Sequence, residues 1–201
     1  MTVVDDIVVR RLGRADYSAT WETMRSFTRA RDDSTPDEFW VLEHPPVYTV
    51  GQGAPIPLVQ SDIPVIKTDR GGDITYHGPG QVVIYTLVDL ARRSINVKRF
   101  VWLLEQAVID LLSGRAERQT GAPGVYVDGA KIAALGIRVV RGRAYHGVAL
   151  NVDMDLSPFS AIDPCGYPGL RVAQMKDLGF AETPANAASR LSQILVEKLD
   201  A

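Results

Sequence analysis

The chain has little of what several kinds of site require. It holds one cysteine and three histidines in 201 residues. A single cysteine excludes an intrachain disulfide, which suits a reducing compartment. The three histidines, His44, His77 and His146, fall in separate segments with no His-x-x-x-His or Cys-x-x-Cys pair, so no metal site is expected. The formal net charge is only -2. That gives no general attraction to nucleic acid or to an acidic membrane. Long hydrophobic runs are missing too: the stretch Val82 to Val88 is broken by Thr86 and is far too short to span a bilayer. Met1 to Asp6 brings acids early and lacks the apolar core of a secretory signal. A cytoplasmic protein is the expectation.

Other absences narrow the chemistry. The glycine-rich stretch Arg70 to Gln81 is not followed by Gly-Lys-Ser/Thr and does not form Gly-x-Gly-x-x-Gly, so neither a P-loop nor a dinucleotide fingerprint is present. No Gly-x-Ser-x-Gly elbow marks a serine hydrolase. Asn151 to Asp155 begins like a calcium loop, but Leu156 stands where glycine is needed and Ile162 where the closing glutamate should be.

What is present is a hydrophobic content of 46%, enough for a substantial core in one domain spanning 1–201. The patterns predict strands at Ile7 to Arg11, Phe39 to Leu42, Val47 to Val50, Ile63 to Thr68 and Gln81 to Leu87. Asp16 caps a helix with Tyr17, Trp21, Met24 and Phe27 on one side, and the charged stretch Arg29 to Asp33 ends it. From Asn96 the period becomes helical through Val97, Phe100, Val101, Leu104, Val108 and Leu111, with Lys98, Arg99, Glu105 and Asp110 off the stripe and Gly114 as the stop. Asp128-Gly129 joins Val125 to Val127 with Lys131 to Leu135, and a second turn near Arg141-Gly142 leads back through Tyr145 to Val152. Lys131, Ala134 to Gly136 and Gly147 to Ala149 therefore belong to neighbouring strands. Thr183 and Pro184 open a last helix. Strands outnumber three irregularly placed helices, which predicts an α+β fold with a mixed, largely antiparallel sheet flanked by helices.

The candidate nucleophile is Cys165, set among two prolines and two glycines in Asp163 to Gly169, a stretch that can continue neither a helix nor a central strand. A lone cysteine is most often a small buried hydrophobe, and a free thiol with a pKa of about 8.5 is largely protonated at neutral pH. A catalytic role needs a cation beside the sulfur. Lys131, followed by Ile-Ala-Ala-Leu, is the candidate for an ammonium held partly dry, although a lysine two residues past a hairpin turn is usually solvated. As a base it would first have to lose its own proton, at a cost of about 4.6 kcal/mol at pH 7. As a cation it bears no such cost. His44 is expected to serve only at its turn, before Pro45-Pro46.

Four segments taken together resemble the octanoyl-[acyl-carrier-protein]:protein N-octanoyltransferase family, also called lipoate-protein ligase B. They are Arg-Gly-Gly-Asp-Ile-Thr-Tyr-His-Gly-Pro-Gly-Gln (70–81), Pro-Gly-Val-Tyr-Val-Asp-Gly-Ala-Lys-Ile-Ala-Ala-Leu-Gly (123–136), His-Gly-Val-Ala-Leu-Asn-Val (146–152) and Pro-Cys-Gly-Tyr (164–167). The resemblance implies the fold of biotin and lipoate ligases, and transfer of an octanoyl chain from acyl carrier protein to a lysine amine of lipoyl domains, as the first step of endogenous lipoate synthesis. The acceptors it implies are acyltransferase subunits of 2-oxoacid dehydrogenases and the glycine-cleavage H protein. It makes Cys165 the acyl-thioester nucleophile and Lys131 its partner, with no ATP or metal, the acyl group arriving on phosphopantetheine. It assigns substrate binding to Arg70, Gly71, Gly72, Asp73, Ile74, Thr75, Tyr76 and His77, to Ala134, Leu135 and Gly136, and to Gly147, Val148 and Ala149. His77 or a neutral Lys131 is left to deprotonate the acceptor amine. One departure stands out: Ala173 occupies a place where the family commonly has threonine. Two rivals are an ATP-dependent ligase on the same fold and a carrier-docking module with Arg138, Arg141 and Arg143 as a basic face.

Overall fold

The computed structural model describes residues 7–57, 59, 61–162 and 169–200. The strands and helices in chain order are β1 (Val8–Arg14), α1 (Tyr17–Ala30), β2 (Glu38–Glu43), β3 (Val47–Val50), β4 (Val65–Lys67), β5 (Ile74–His77), β6 (Gln81–Asp89), α2 (Val97–Leu111), β7 (Glu117–Gln119), β8 (Ala122–Val127), β9 (Ala130–Val140), β10 (Arg143–Asn151) and α3 (Pro184–Leu199). Seven strands form one sheet in the order β1-β2-β6-β10-β9-β8-β7, in which only β1 and β2 run parallel. The mixed α+β reading is met in this sheet.

A second sheet, β4-β3-β5, was not legible as separate from the first. Pro45 and Pro46 follow β2 and supply no backbone N–H, so the chain leaves the large sheet there and restarts pairing at Val47 with β5. Glycine-rich as 70–81 is, it contains β5, whose four residues are all buried.

The two faces of the large sheet are filled differently. Phe100, Leu104, Val108 and Leu111 of α2 and Leu191 and Leu195 of α3 pack with Ile84, Val148 and Leu150 on one face. Tyr17 and Met24 of α1 pack with Val83, Tyr85 and Ala149 on the other. The helix starts behave as their sequences require: Asp16, Asn96 and Thr183 each accept a bond from the backbone N–H three residues on. Beyond α2, Gly114 takes φ +73° and donates to the Ile109 carbonyl.

Polar burial departs from expectation in three places. Arg31, within the charged stretch that ends α1, is buried and donates to Asp37 at 2.6 Å. Glu105, off the apolar stripe of α2, is buried as well. The three arginines considered as one basic face are not equivalent, because Arg143 pairs with Asp89 at 3.1 Å while Arg138 bonds Gln52.

Candidate active site

One cavity is created by side chains that are missing. In the pairing of β9 with β10, Gly136 stands opposite Gly147 and Ala134 opposite Ala149; on the far side of β10, Gly147 faces Tyr85 and Ala149 faces Val83. Two glycines and two alanines therefore meet on one patch of the sheet, and the space above them is closed by Tyr17 of α1, by β5 and by the loop before it. Gly147 must lack a side chain for another reason, since a Cβ would lie 2.1 Å from the Ile84 carbonyl oxygen. The walls include Arg70, Gly72, Asp73, Ile74, Thr75 and His77, together with Ala134, Leu135, Gly136, Gly147, Val148 and Ala149. The three separated segments marked for substrate binding are thus brought to one place. Tyr76 is not: it turns to the opposite face of β5, against Tyr48 and Phe159, each with ring centroids 5.5 Å from its own.

Arg70 shapes the loop over this cavity. Its guanidinium donates to the Thr49 hydroxyl, to the carbonyl of Thr49 at 2.6 Å, and to the carbonyls of Gly71 and Asp73 at 2.9 and 2.8 Å. The loop is also stitched to β9, where Gly71 donates to the Ile137 carbonyl at 3.0 Å. That bond is available because β8 pairs with β9 only as far as Ala133 and leaves the edge beyond it open.

The inner end of the cavity is polar, and its histidines are held neutral. His77 is buried between Gln81 Oε1 at 2.7 Å and the Thr49 hydroxyl at 3.2 Å, and burial with His44 nearby holds its pKa down to about 3. His44, far from serving only at a turn, reaches the interior: its Nδ1 donates to the Ala15 carbonyl and its Nε2 accepts from Tyr85 Oη at 2.6 Å, while burial lowers its pKa to about 4. Asp69 accepts from Trp21 Nε1, Tyr145 Oη and His146 Nε2, and despite desolvation these bonds hold it below the usual carboxylate range. His146, at φ +62°, is kept neutral by burial, which outweighs the pull of Asp69. No composition or period marks this group. The repeated aromatic and histidine contacts join residues up to 77 positions apart.

Lys131 opens on a second cavity, lined by Gly71, Gly72, Asp73, Val101, Gly121, Ala122, Pro123, Leu135, Gly136 and Ile137. The two cavities share Gly72, Asp73, Leu135 and Gly136, so they meet across the open edge of β9. Lys131 is only 4% exposed, against the usual behaviour of a lysine near a hairpin turn. Its Nζ donates to the Pro123 carbonyl at 3.1 Å and lies 5.3 Å from the centroid of the Tyr126 ring.

Cys165 belongs to the segment 163–168 and lies outside the described residues. The chain on both sides of that segment is placed. Ile162 and Val172 pack against the cluster of Tyr48, Ile74, Tyr76 and Phe159. Lys131 then takes a backbone bond from each side of Val172: it donates to the Arg171 carbonyl at 2.8 Å and accepts from Ala173 N at 2.9 Å. Ala173 therefore meets Lys131 through its backbone.

Comparison with known proteins gives the family. Residues 16–195 match the model of the lipoyl protein ligase A/B catalytic domain. An octanoyltransferase of Aromatoleum aromaticum is 62% identical over 190 residues, covering 92% of this chain and 82% of that protein. The chain belongs to the octanoyltransferases of the lipoyl protein ligase A/B family. The fold extends further than the sequence likeness. A lipoate-protein ligase A solved with ATP superposes with a TM-score of 0.78 at 15% identity, over 98% of this chain and 86% of that one. A biotin protein ligase of Aquifex aeolicus bound to biotin and ATP gives 0.58 at 11%, over 96% and 70%. Among the described residues of this octanoyltransferase-family chain, no helix is long and apolar enough to cross a membrane.

Proposed function

We propose that this acyltransferase takes an octanoyl group from the phosphopantetheine thioester of acyl carrier protein and passes it to the lysine amine of lipoyl domains, through an acyl thioester on Cys165 assisted by Lys131. The observation that carries the reading is a buried lysine on the wall of the cavity that adjoins the one over the small-residue patch, with the chain that follows Cys165 paired to its own backbone. The Cys165 thiolate, favoured by the Lys131 ammonium, attacks the carrier thioester, and the carrier leaves as its thiolate. The acceptor amine then attacks the Cys165 thioester, forms the amide and releases the cysteine thiolate. The departing carrier thiolate takes its proton from the Lys131 ammonium, and the neutral Lys131 so formed recovers one from the acceptor amine. Thioester exchange is nearly balanced and amide formation runs downhill, so neither ATP nor a metal is needed.

The sheet patch of Ala134, Gly136, Gly147 and Ala149 would hold the acyl chain away from water, with Arg70 to His77 as its cover. His77 is poorly suited to take the acceptor proton, since both its ring nitrogens are engaged and it stays neutral to about pH 3. That role falls to Lys131 in its neutral form. The acceptors implied are acyltransferase subunits of 2-oxoacid dehydrogenases and the glycine-cleavage H protein.

The test is intact-mass analysis after mixing the protein with octanoyl-carrier protein in the absence of ATP. One octanoyl adduct should appear and map to Cys165, then vanish when a lipoyl domain is added. Transfer that requires nucleotide and free octanoate, or that survives Cys165→Ala, overturns the mechanism.

A further inference from the structure

We infer that Glu105 is a positioning residue for Lys131, acting through the peptide between Pro123 and Gly124; the inference rests on Lys131 being the cation of the transfer reaction. One peptide unit is gripped at both ends. Its carbonyl oxygen accepts from Lys131 Nζ at 3.1 Å, and its N–H donates to Glu105 Oε1 at 3.0 Å. The other oxygen of Glu105 accepts from Arg118 Nε at 3.0 Å. Both oxygens thus accept from groups that can only donate, one of them the Arg118 guanidinium, which pairs with the carboxylate. It is 7% exposed, on a helix whose other buried residues are all apolar. An apolar side chain would fill that position without the cost of desolvating a charge.

What the carboxylate supplies is orientation and field. By holding the Gly124 N–H it aims the Pro123 carbonyl at the ammonium, and its negative charge favours the charged form of Lys131. The fit between peptide and cation is close: Gly124 sits at φ +143°, and a Cβ there would lie 2.7 Å from Lys131 Cε and 3.2 Å from Nζ. A shift of this peptide therefore shifts the nitrogen. Among the described residues, the other groups facing the pair are Tyr126, whose ring lies under Nζ, Asp73 on the shared cavity wall, and Arg118, which also bonds Gln106 and lies over Trp102. Arg171 contributes backbone to Lys131, its guanidinium being turned to the Asp128 carbonyl.

The experiment follows kcat and KM against pH for the full chain with octanoyl-carrier protein and a lipoyl domain. Glu105→Gln keeps the volume and an acceptor for Gly124 but removes the charge. It should lower kcat about tenfold with KM changed less than about twofold, and move the alkaline limb of the profile to lower pH because the ammonium has lost an anion. Arg118→Met leaves the anion less neutralised and should move that limb to higher pH. Opposite displacements mark an electrostatic role; a packing role would lower Tm and leave the limb in place. Limbs that coincide with the parent in both variants overturn the inference, and should Glu105→Gln not fold, an unmoved limb in Arg118→Met does so alone. Undiminished transfer by Lys131→Ala would instead remove the reading of Lys131 on which it stands.

Discussion

Gly136 is the residue where the sheet, the Arg70 loop and both cavities meet, so Gly136→Ala tests the architecture most directly. A Cβ built there would lie 2.9 Å from the Gly71 carbonyl oxygen and 3.1 Å from Arg70 Cδ. Ordinary contact begins at 3.4 Å, so the loop has to retreat by about half an ångström. It cannot do so freely, because Gly71 is bonded to Ile137 on the same strand and the Arg70 guanidinium is tied to Thr49. Overpacking of this kind costs about 1–3 kcal/mol, which in a chain of this size lowers Tm by about 2–12 °C. The loop also covers the acyl cavity, and a displacement on that scale should reduce kcat/KM for octanoyl transfer by about ten- to a hundredfold. Calorimetry and steady-state transfer assays measure the two effects separately. Gly179→Ala is the control: φ is +81° there but nothing lies within 4 Å, so some stability should be lost and no transfer. A Gly136→Ala protein that transfers at the parental rate would show that the contact between loop and strand does not organise the site.

Two further predictions concern stability. The unfolded chain protonates its histidines near pH 6.5, whereas His44 and His77 in the fold resist down to about 4 and about 3, so their contribution is full above pH 6.5 and is lost as the pH falls toward 4. The loss is on the order of 3 kcal/mol for His44 alone, and Tm should already decline between pH 6.5 and 4.5, above the range where Asp69 and Asp37 titrate; a flat Tm across that interval contradicts it. Asp37 is buried under Arg31, Arg92 and Arg93 at 2.6–2.7 Å, and Asp37→Asn should cost about 3–5 kcal/mol by leaving the buried Arg31 cation uncompensated. A calorimetric loss below about 1 kcal/mol would mean that the backbone carbonyls of Leu87, Thr35 and Pro36 suffice for Arg31.

Which of these features the sequence reveals follows from the range of the interaction that creates each one. The core of the α2 stripe, Phe100, Leu104, Val108 and Leu111, and the Asp128-Gly129 hairpin are local and stand as read, although Val97 at the head of the stripe is exposed; the second hairpin, at Arg141-Gly142, places Ala134 to Gly136 beside Gly147 to Ala149. The polar interior is not local. Periodicity assigns Glu105 to the surface because it cannot know of Gly124, 19 residues away, nor of Arg118. One signal was available: Val97, Val101 and Glu105 follow at intervals of four, so the glutamate continues an apolar line along the helix. His44 gives less warning, since its partners Ala15 and Tyr85 lie 29 and 41 residues away. The cavity itself is intermediate. Its small residues are visible as Gly and Ala at 134, 136, 147 and 149, but single substitutions of that kind are common in strands and signify nothing alone. Only the register, which sets glycine against glycine and alanine against alanine, converts four missing side chains into one volume, and register depends on the turn at Arg141-Gly142 that aligns β9 with β10. Insertion of one residue at that turn would therefore slide Gly147 away from Gly136 and abolish the cavity while changing none of the residues that line it.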